Sequence, residues 1–281
     1  MSTTTSAKDD AIAFASQKCF HRSITISPTS AHQKLRVSFA TTSGFDDDGK
    51  NDLETILFCG GMGASRLLLY RFDALAKKEG VRVIFIDRPG VGGSTPVPLD
   101  QRVQVWLDAV PAVLEHLGVK TISLLSHSAG AIYAINTLLL LPHLLHPHHP
   151  FAAFLMAILT PRDPYNSGIS ADANLCMQKD SKDWCTHTSL PTTISSLQQL
   201  YPQQSRPLTI RAYFAASDQI IGKGGQVYFE KCWKRGNDAQ GQVDFAAKGV
   251  DDTDHDNIPL VEKGCLGEIF REIKGLNVCD G

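Results

Sequence analysis

The stretch Lys120–Leu140, KTISLLSHSAGAIYAINTLLL, constrains the chain more than any other. Thr121-Ile122-Ser123-Leu124-Leu125 is an apolar run long enough for a buried strand and too short for a helix. After Ser126-His127-Ser128-Ala129-Gly130 an apolar, Ala-rich run reads as a helix. A strand that reverses sharply into a helix with a serine at its apex is a nucleophile elbow. The apex residue takes a strained backbone conformation, and the residues two before and two after it come close together. Those flanks must be small, and here they are Ser126 and Gly130. The strain projects the Ser128 hydroxyl outward and leaves the Ala129 N–H at a helix N-terminus, where it can face developing negative charge. An ordinary strand-to-helix turn could carry the same pentapeptide, so the rest of the chain decides.

Before the elbow, Thr55–Cys59 is a continuous apolar run followed by the glycine-rich Gly60-Gly61-Met62-Gly63-Ala64-Ser65 and a helical pattern from Arg66 to Lys78. Val81–Asp87 reads as the next strand, Arg88–Ser94 as a loop, and Leu99–Leu117 as a helix with Pro111 inside it. Beyond the elbow, Phe151–Leu159, Leu208–Phe214 and Val243–Ala247 read as strands, Gly224–Trp233 as a helix and Ile258–Ile273 as the closing helix. Alternation at this spacing predicts a parallel sheet with helices on both faces. Ahead of it, Phe20–Ile26 and Leu35–Phe39 alternate apolar and polar residues, as an antiparallel pair at a sheet edge would. Residues 1–15 are Ser/Thr-rich and expected to fray. Residues 160–206, rich in Pro, Ser, Thr, Asn and Gln, interrupt the alternation and read as an insertion over the sheet's carboxyl end. The core is then 16–159 together with 207–281.

A chain of 281 residues with 43% hydrophobic and 20% charged residues suits one large α/β domain. Its net charge of −2 gives no reason to expect a nucleic acid or an anionic membrane as partner. Seven scattered cysteines without a CxxC pair read as reduced thiols, and the first residues lack the apolar core of a secretory signal. No apolar run reaches the ~20 residues that span a bilayer. A cytoplasmic protein is expected.

Open parallel sheets bind ligands at the carboxyl ends of their strands. Those ends deliver Cys59–Gly63, Asp87–Gly90, Ser128, Ser217-Asp218 and Asp251–Asp256, the last containing His255. Nucleophile, acid, then histidine is the order Ser128, Asp218, His255. With the glycine-rich turn, the Asp-Arg-Pro-Gly-x-Gly-x-Ser loop of Asp87–Ser94 and the elbow, the chain resembles the α/β-hydrolase superfamily from about Glu54 to Ile273, particularly the cytosolic serine-nucleophile members of fungi. The resemblance implies the α/β-hydrolase fold with a short cap at 160–206. It also implies Ser128 as nucleophile, His255 as its base, Asp218 as orienting acid and no cofactor. The oxyanion donors it implies are the N–H groups of Ala129 and Gly61, with Met62 the alternative to Gly61. An ester or thioester is the expected small-molecule substrate, through an acyl-enzyme. A non-hydrolytic cyclase, lyase or acyl-transfer enzyme on the same scaffold, or a silent ligand-binding protein, is the alternative. Two residues depart from the pattern: Ser126 stands where Gly is usual, and Cys59-Gly60 where many members carry His-Gly. The absent histidine usually supports that loop, so its loss bears on loop rigidity and not on the backbone donor.

Several residues have two readings. Asp218 also suits a turn after its strand, and Asp163 is the alternative acid. His127 reads as a pocket-wall residue, and Met62, Met177 and Trp184 as substrate contacts, whereas Leu67 and Trp106 read as packing. The tract His143, His146, His148 and His149 is punctuated by Pro142, Pro147 and Pro150, and reads as an extended connector with no metal. The acidic loop 44–52 lacks calcium-loop spacing and reads as solvated.

If the insertion sets substrate choice, replacing Met177 and Trp184 with Ala should change KM and acyl-chain preference in an ester series. Fluorophosphonate labelling of Ser128 should be spared. An unchanged chain-length profile would assign specificity to the loops at Gly61 and Asp87 instead.

Overall fold

The computed structural model describes residues 6–45, 53–156, 190–201, 207–234 and 243–278. Eight strands form one sheet: β1 (Arg22–Ile26), β2 (Leu35–Thr41), β3 (Thr55–Cys59), β4 (Arg82–Ile86), β5 (Ser123–His127), β6 (Phe151–Met156), β7 (Leu208–Ala215) and β8 (Val243–Val250). Their spatial order is β1-β2-β4-β3-β5-β6-β7-β8. β2 runs antiparallel to both β1 and β4, and the other pairs are parallel. The expected antiparallel pair therefore sits at one edge.

The continuous apolar strands are buried on both faces, and period-two alternation splits their side chains between two cores. Leu57, Ile84, Leu124, Ile210 and Phe214 face one core, with Trp106, Tyr133, Phe229 and Trp233. Ile56, Phe58, Val83, Phe85 and Leu125 face the other, with Phe72, Leu266, Phe270 and Ile273. The helices that cover these faces are α2 (Asp73–Glu79), α3 (Arg102–His116), α4 (Gly130–Leu140), α5 (Leu190–Leu200), α6 (Gly222–Lys234) and α7 (Cys265–Val278). Cys19, Cys59, Cys232 and Cys265 are buried free thiols. Among the described residues no helix is long and apolar enough to cross a membrane.

The structure differs from the sequence reading in five places. Residues 7–15 form a helix, α1 (Ala7–Ala15), in place of a frayed end. A capping box closes it: Ser6 Oγ accepts from the Asp9 N–H, and Asp9 Oδ2 accepts from the Ser6 N–H. Its Phe14 packs edge-on against Phe20 and Tyr70. Secondly, Arg66–Arg71 is a 3-10 turn, with α2 starting only at Asp73, because Asp87 holds the Arg66 N–H and guanidinium. Thirdly, Leu190–Leu200, counted within the insertion, is helix α5, and its Ile194 and Leu197 are buried in the core with Tyr133. Fourthly, the closing helix begins at Cys265, not Ile258. Pro259 disfavours helix at the residue before it, and Gly264, at φ 82°, turns the chain left-handed immediately ahead of α7. Lastly, β8 runs on to Val250 because ladder bonds to β7 need backbone and not apolar side chains. Met177, Trp184, Asp163 and the acidic loop beyond Phe45 lie outside the described residues.

Two fully buried tryptophans offer an internal comparison. Trp106 donates its indole N–H to Thr137 Oγ1 at 3.0 Å. Trp233, stacked on Phe245, has no partner for its N–H among the described residues. Both Trp→Phe changes remove similar volume, but only Trp106→Phe loses a hydrogen bond, worth about 0.5–1.5 kcal/mol. Urea denaturation should show Trp106→Phe to be the more destabilised variant by that margin. Equal losses would mean that the indole bond contributes nothing net.

Candidate active site

Strand β5 ends at His127 and helix α4 begins at Gly130, leaving Ser128 and Ala129 to make the reversal. Ser128 has φ 53°, a left-handed conformation that few non-glycine residues adopt. It is held there from two sides. The Ser128 N–H donates to the Leu155 carbonyl of β6 at 3.1 Å. Gly130 lies so close to β3 that a Cβ would stand 1.9 Å from the Cys59 carbonyl oxygen. Only glycine fits at that approach, which explains the small flank read from the sequence.

The structure brings Ser128, His255 and Asp218 together. Ser128 Oγ is 3.3 Å from His255 Nε2, and His255 Nδ1 is 3.5 Å from Asp218 Oδ2. The first is a long hydrogen bond and the second lies beyond a formed one, as is common where such bonds tighten only with substrate. Neither His255 Nδ1 nor Asp218 Oδ2 has another partner among the described residues, so each is available to the other. Asp218 closes a turn after its strand and also faces the imidazole. Its Oδ1 accepts from the Ile220 and Ile221 N–H groups at 2.8 and 3.1 Å, while Oδ2 faces the imidazole. The histidine loop is fixed by Asp254 Oδ1, which accepts from the Asp256 and Asn257 N–H groups. The Ser217 N–H donates to the Thr253 carbonyl at 3.0 Å and joins this loop to the one carrying Asp218.

The glycine-rich turn after β3 lies against the elbow. A Cβ on Gly61 would be 2.8 Å from His127 Nδ1 and 3.4 Å from Ser128 Cβ. Arg88, which the sequence reading left inside a structural turn, organises this loop. Its guanidinium donates to the Gly60 carbonyl and, at 2.5 Å, to the Gly61 carbonyl, and it lies over the Tyr133 ring. A trans peptide points its C=O and N–H in opposite directions. Holding both carbonyls therefore turns the Gly61 and Met62 N–H groups away from Arg88. Among the described residues the N–H groups of Gly61, Met62 and Ala129 donate to nothing. Arg88 thus supports the Gly60–Gly61 turn that follows Cys59. The only sequence signal was an arginine directly beyond a buried strand. Asp87 anchors the same segment by accepting from Arg66 and Ser38, and burial pushes its carboxyl up.

His127 is buried, and its Nε2–H donates to the His255 carbonyl at 3.0 Å. It ties the elbow to the histidine loop and packs beneath Gly61. Burial pushes its imidazole down to about 4, so it is neutral at neutral pH.

Residues 56–248 match the family model described as the alpha/beta hydrolase family, well over half of the chain. The chain belongs to this family. Its alpha/beta hydrolase fold is similar to solved structures at low sequence identity. One is from a study of carboxylesterases of Nitrososphaera gargenis (TM-score 0.58, 12% identity, covering 92% of this chain and 100% of that one). Another is a haloalkane dehalogenase of Bradyrhizobium elkanii (TM-score 0.57, 11% identity, 93% and 100%). A third is a thioesterase domain of the curacin biosynthetic pathway (TM-score 0.56, 11% identity, 89% and 98%). Over 84 residues the chain is 34% identical to a proline iminopeptidase of Lactobacillus helveticus (strain DPC 4571). That match spans 28% of this chain and 28% of that protein.

The neutral, buried His127 makes stability depend on pH. Its imidazole is held at about 4 in the folded chain, against an ordinary value of 6.5. Between those values the unfolded chain binds the extra proton, so stability is complete above pH ~6.5 and falls as pH drops towards 4. His127→Gln keeps a donor for the His255 carbonyl but does not titrate. Thermal melts should show the variant's Tm falling less than the parent's across that window. Parallel curves would mean that His127 does not carry the acid sensitivity.

Proposed function

We propose that the chain is a serine hydrolase acting on an ester or thioester without a cofactor. The observation that carries this reading is the alignment of Ser128 Oγ, on a left-handed apex, with His255 Nε2 at 3.3 Å and Asp218 behind it. In this reading Ser128 Oγ attacks the substrate carbonyl carbon and its proton passes to His255 Nε2. Asp218 fixes the imidazole tautomer and stabilises the imidazolium that forms. The N–H of Ala129, with that of Gly61 or Met62, receives the oxyanion, and His255 then protonates the departing alcohol or thiol. Water, activated by the same imidazole, releases the acyl group and restores Ser128. A serine at the apex supports acyl chemistry over the aspartate-nucleophile chemistry of dehalogenases and epoxide hydrolases on this fold.

A second reading, amide cleavage at an N-terminal proline, is favoured by the short match to a proline iminopeptidase. The same triad serves both. Prolyl p-nitroanilide assayed beside short p-nitrophenyl esters and acyl thioesters separates them by kcat/KM.

Ser128→Ala should abolish fluorophosphonate labelling and lower ester turnover by at least about two orders of magnitude while leaving the fold intact. Asp218→Asn should lower turnover by as much as ~10⁴, the cost of the wrong histidine tautomer in serine proteases. Asp163→Asn should change little. Peptide mapping of the label and steady-state rates on folded variants check these outcomes. Full activity in Ser128→Ala would remove the acyl-enzyme, and the reverse order of the two aspartates would move the acid to position 163.

A further inference from the structure

Three donors from two distant stretches of the sequence meet at the end of the sheet opposite Ser128. Glu54 immediately precedes β3, and His146 and His149 lie in the connection that leads into β6. A parallel bridge from Ile122 to Leu145 sets that connection beside the start of β5, which lies between β3 and β6. Glu54 Oε1 comes within 3.8 Å of His149 Nε2, and the His146 and His149 rings stack with centroids 3.5 Å apart. One ligand atom from each of the three residues lies within 4.8 Å of the other two.

We propose that Glu54, His146 and His149 form a binding site for a divalent transition-metal ion, zinc above all. Two imidazole nitrogens and one carboxylate oxygen suit zinc and its first-row neighbours, whereas calcium and magnesium require oxygen-rich sites. Ligand bonds of about 2.0–2.2 Å draw the donors of a tetrahedral ion to ~3.4 Å from one another. The cluster has to close by up to about 1.4 Å, and the stacked rings have to rotate so that a nitrogen of each points at the ion. Imidazole binds metal in its neutral form, and two imidazolium rings at this separation would repel. The His148 N–H donates to His146 Nδ1 at 3.3 Å, so an ion bound at that nitrogen would displace this bond. Pro147 and Pro150 restrict the backbone around the two histidines, so less entropy is lost in holding them together. His149 is buried, while Glu54 and His146 are half-buried and leave room for a solvent ligand. The histidine tract, taken alone, reads as a connector because its third ligand comes from the start of a distant strand.

An ion here would tie the starts of β3 and β6 together across β5. Strands of five or six residues separate it from Ser128 by roughly 17 Å, so its role is structural. Full-length protein stripped with a chelator should bind one zinc ion in this cluster by calorimetry, with a rise in Tm. Cobalt in its place should show the visible spectrum of a tetrahedral nitrogen–oxygen site. Glu54→Gln and His146→Gln, both at half-buried positions, should each weaken zinc by at least tenfold and lose the Tm rise. His143→Gln and His148→Gln should keep both. Zinc bound as tightly by Glu54→Gln and His146→Gln as by the parent would place the ion elsewhere and overturn the proposal. So would the absence of zinc binding at micromolar concentration, or an equal Tm rise with calcium.

Discussion

The contact between Gly130 and the Cys59 carbonyl is the constraint on which the site depends. It brings the first turn of α4 against the end of β3, and so forces the chain to reverse within two residues after β5. Ser128 takes up the reversal at φ 53°. Such a conformation is strained in isolation and persists where its surroundings over-determine it. Here β3 and β5 are in register at Cys59 and Ser126, and β6 receives the Ser128 N–H. Three parallel strands and a helix thus hold one serine hydroxyl where a histidine on a separate loop reaches it.

A second set of contacts keeps the loops around that hydroxyl in order. Arg88 holds the Gly60 and Gly61 carbonyls, and His127 holds the His255 carbonyl. Both side chains act on backbone atoms from buried positions. Burying a guanidinium is costly unless its donors are used, and here two carbonyls and the face of Tyr133 receive it. Burial likewise keeps His127 neutral, which suits a residue whose task is to donate one hydrogen bond. The loops are shaped from behind, and the N–H groups of Gly61, Met62 and Ala129 are left unengaged among the described residues.

Strands β3 to β6 were legible because each is a short apolar run, and burial on both faces demands that composition, whereas the largely exposed β8 was legible only in its first half. Ser128, Asp218 and His255 were legible because strand ends of a parallel sheet converge on one edge. Helix α5 was not. LPTTISSLQQL is largely polar, with Leu190, Ile194 and Leu197 at helical spacing towards the core, so local pattern gave it little weight. The break at Phe72 and the late start of α7 escaped for related reasons. Asp87 grips Arg66 from another strand, and Gly264 adopts a left-handed turn that composition alone does not reveal.

The sequence by itself determined the sheet, the elbow and the order of Ser128, Asp218 and His255 along strand ends, because periodicity and small-residue spacing are local properties of the chain. Tertiary structure alone decided that Arg88 holds the Gly60 and Gly61 carbonyls, that His127 points inward to the His255 carbonyl, and that Glu54 meets His146 and His149. Each of these joins residues brought together only by strand order. A side chain's partners across a sheet depend on register and packing, which no window of sequence contains.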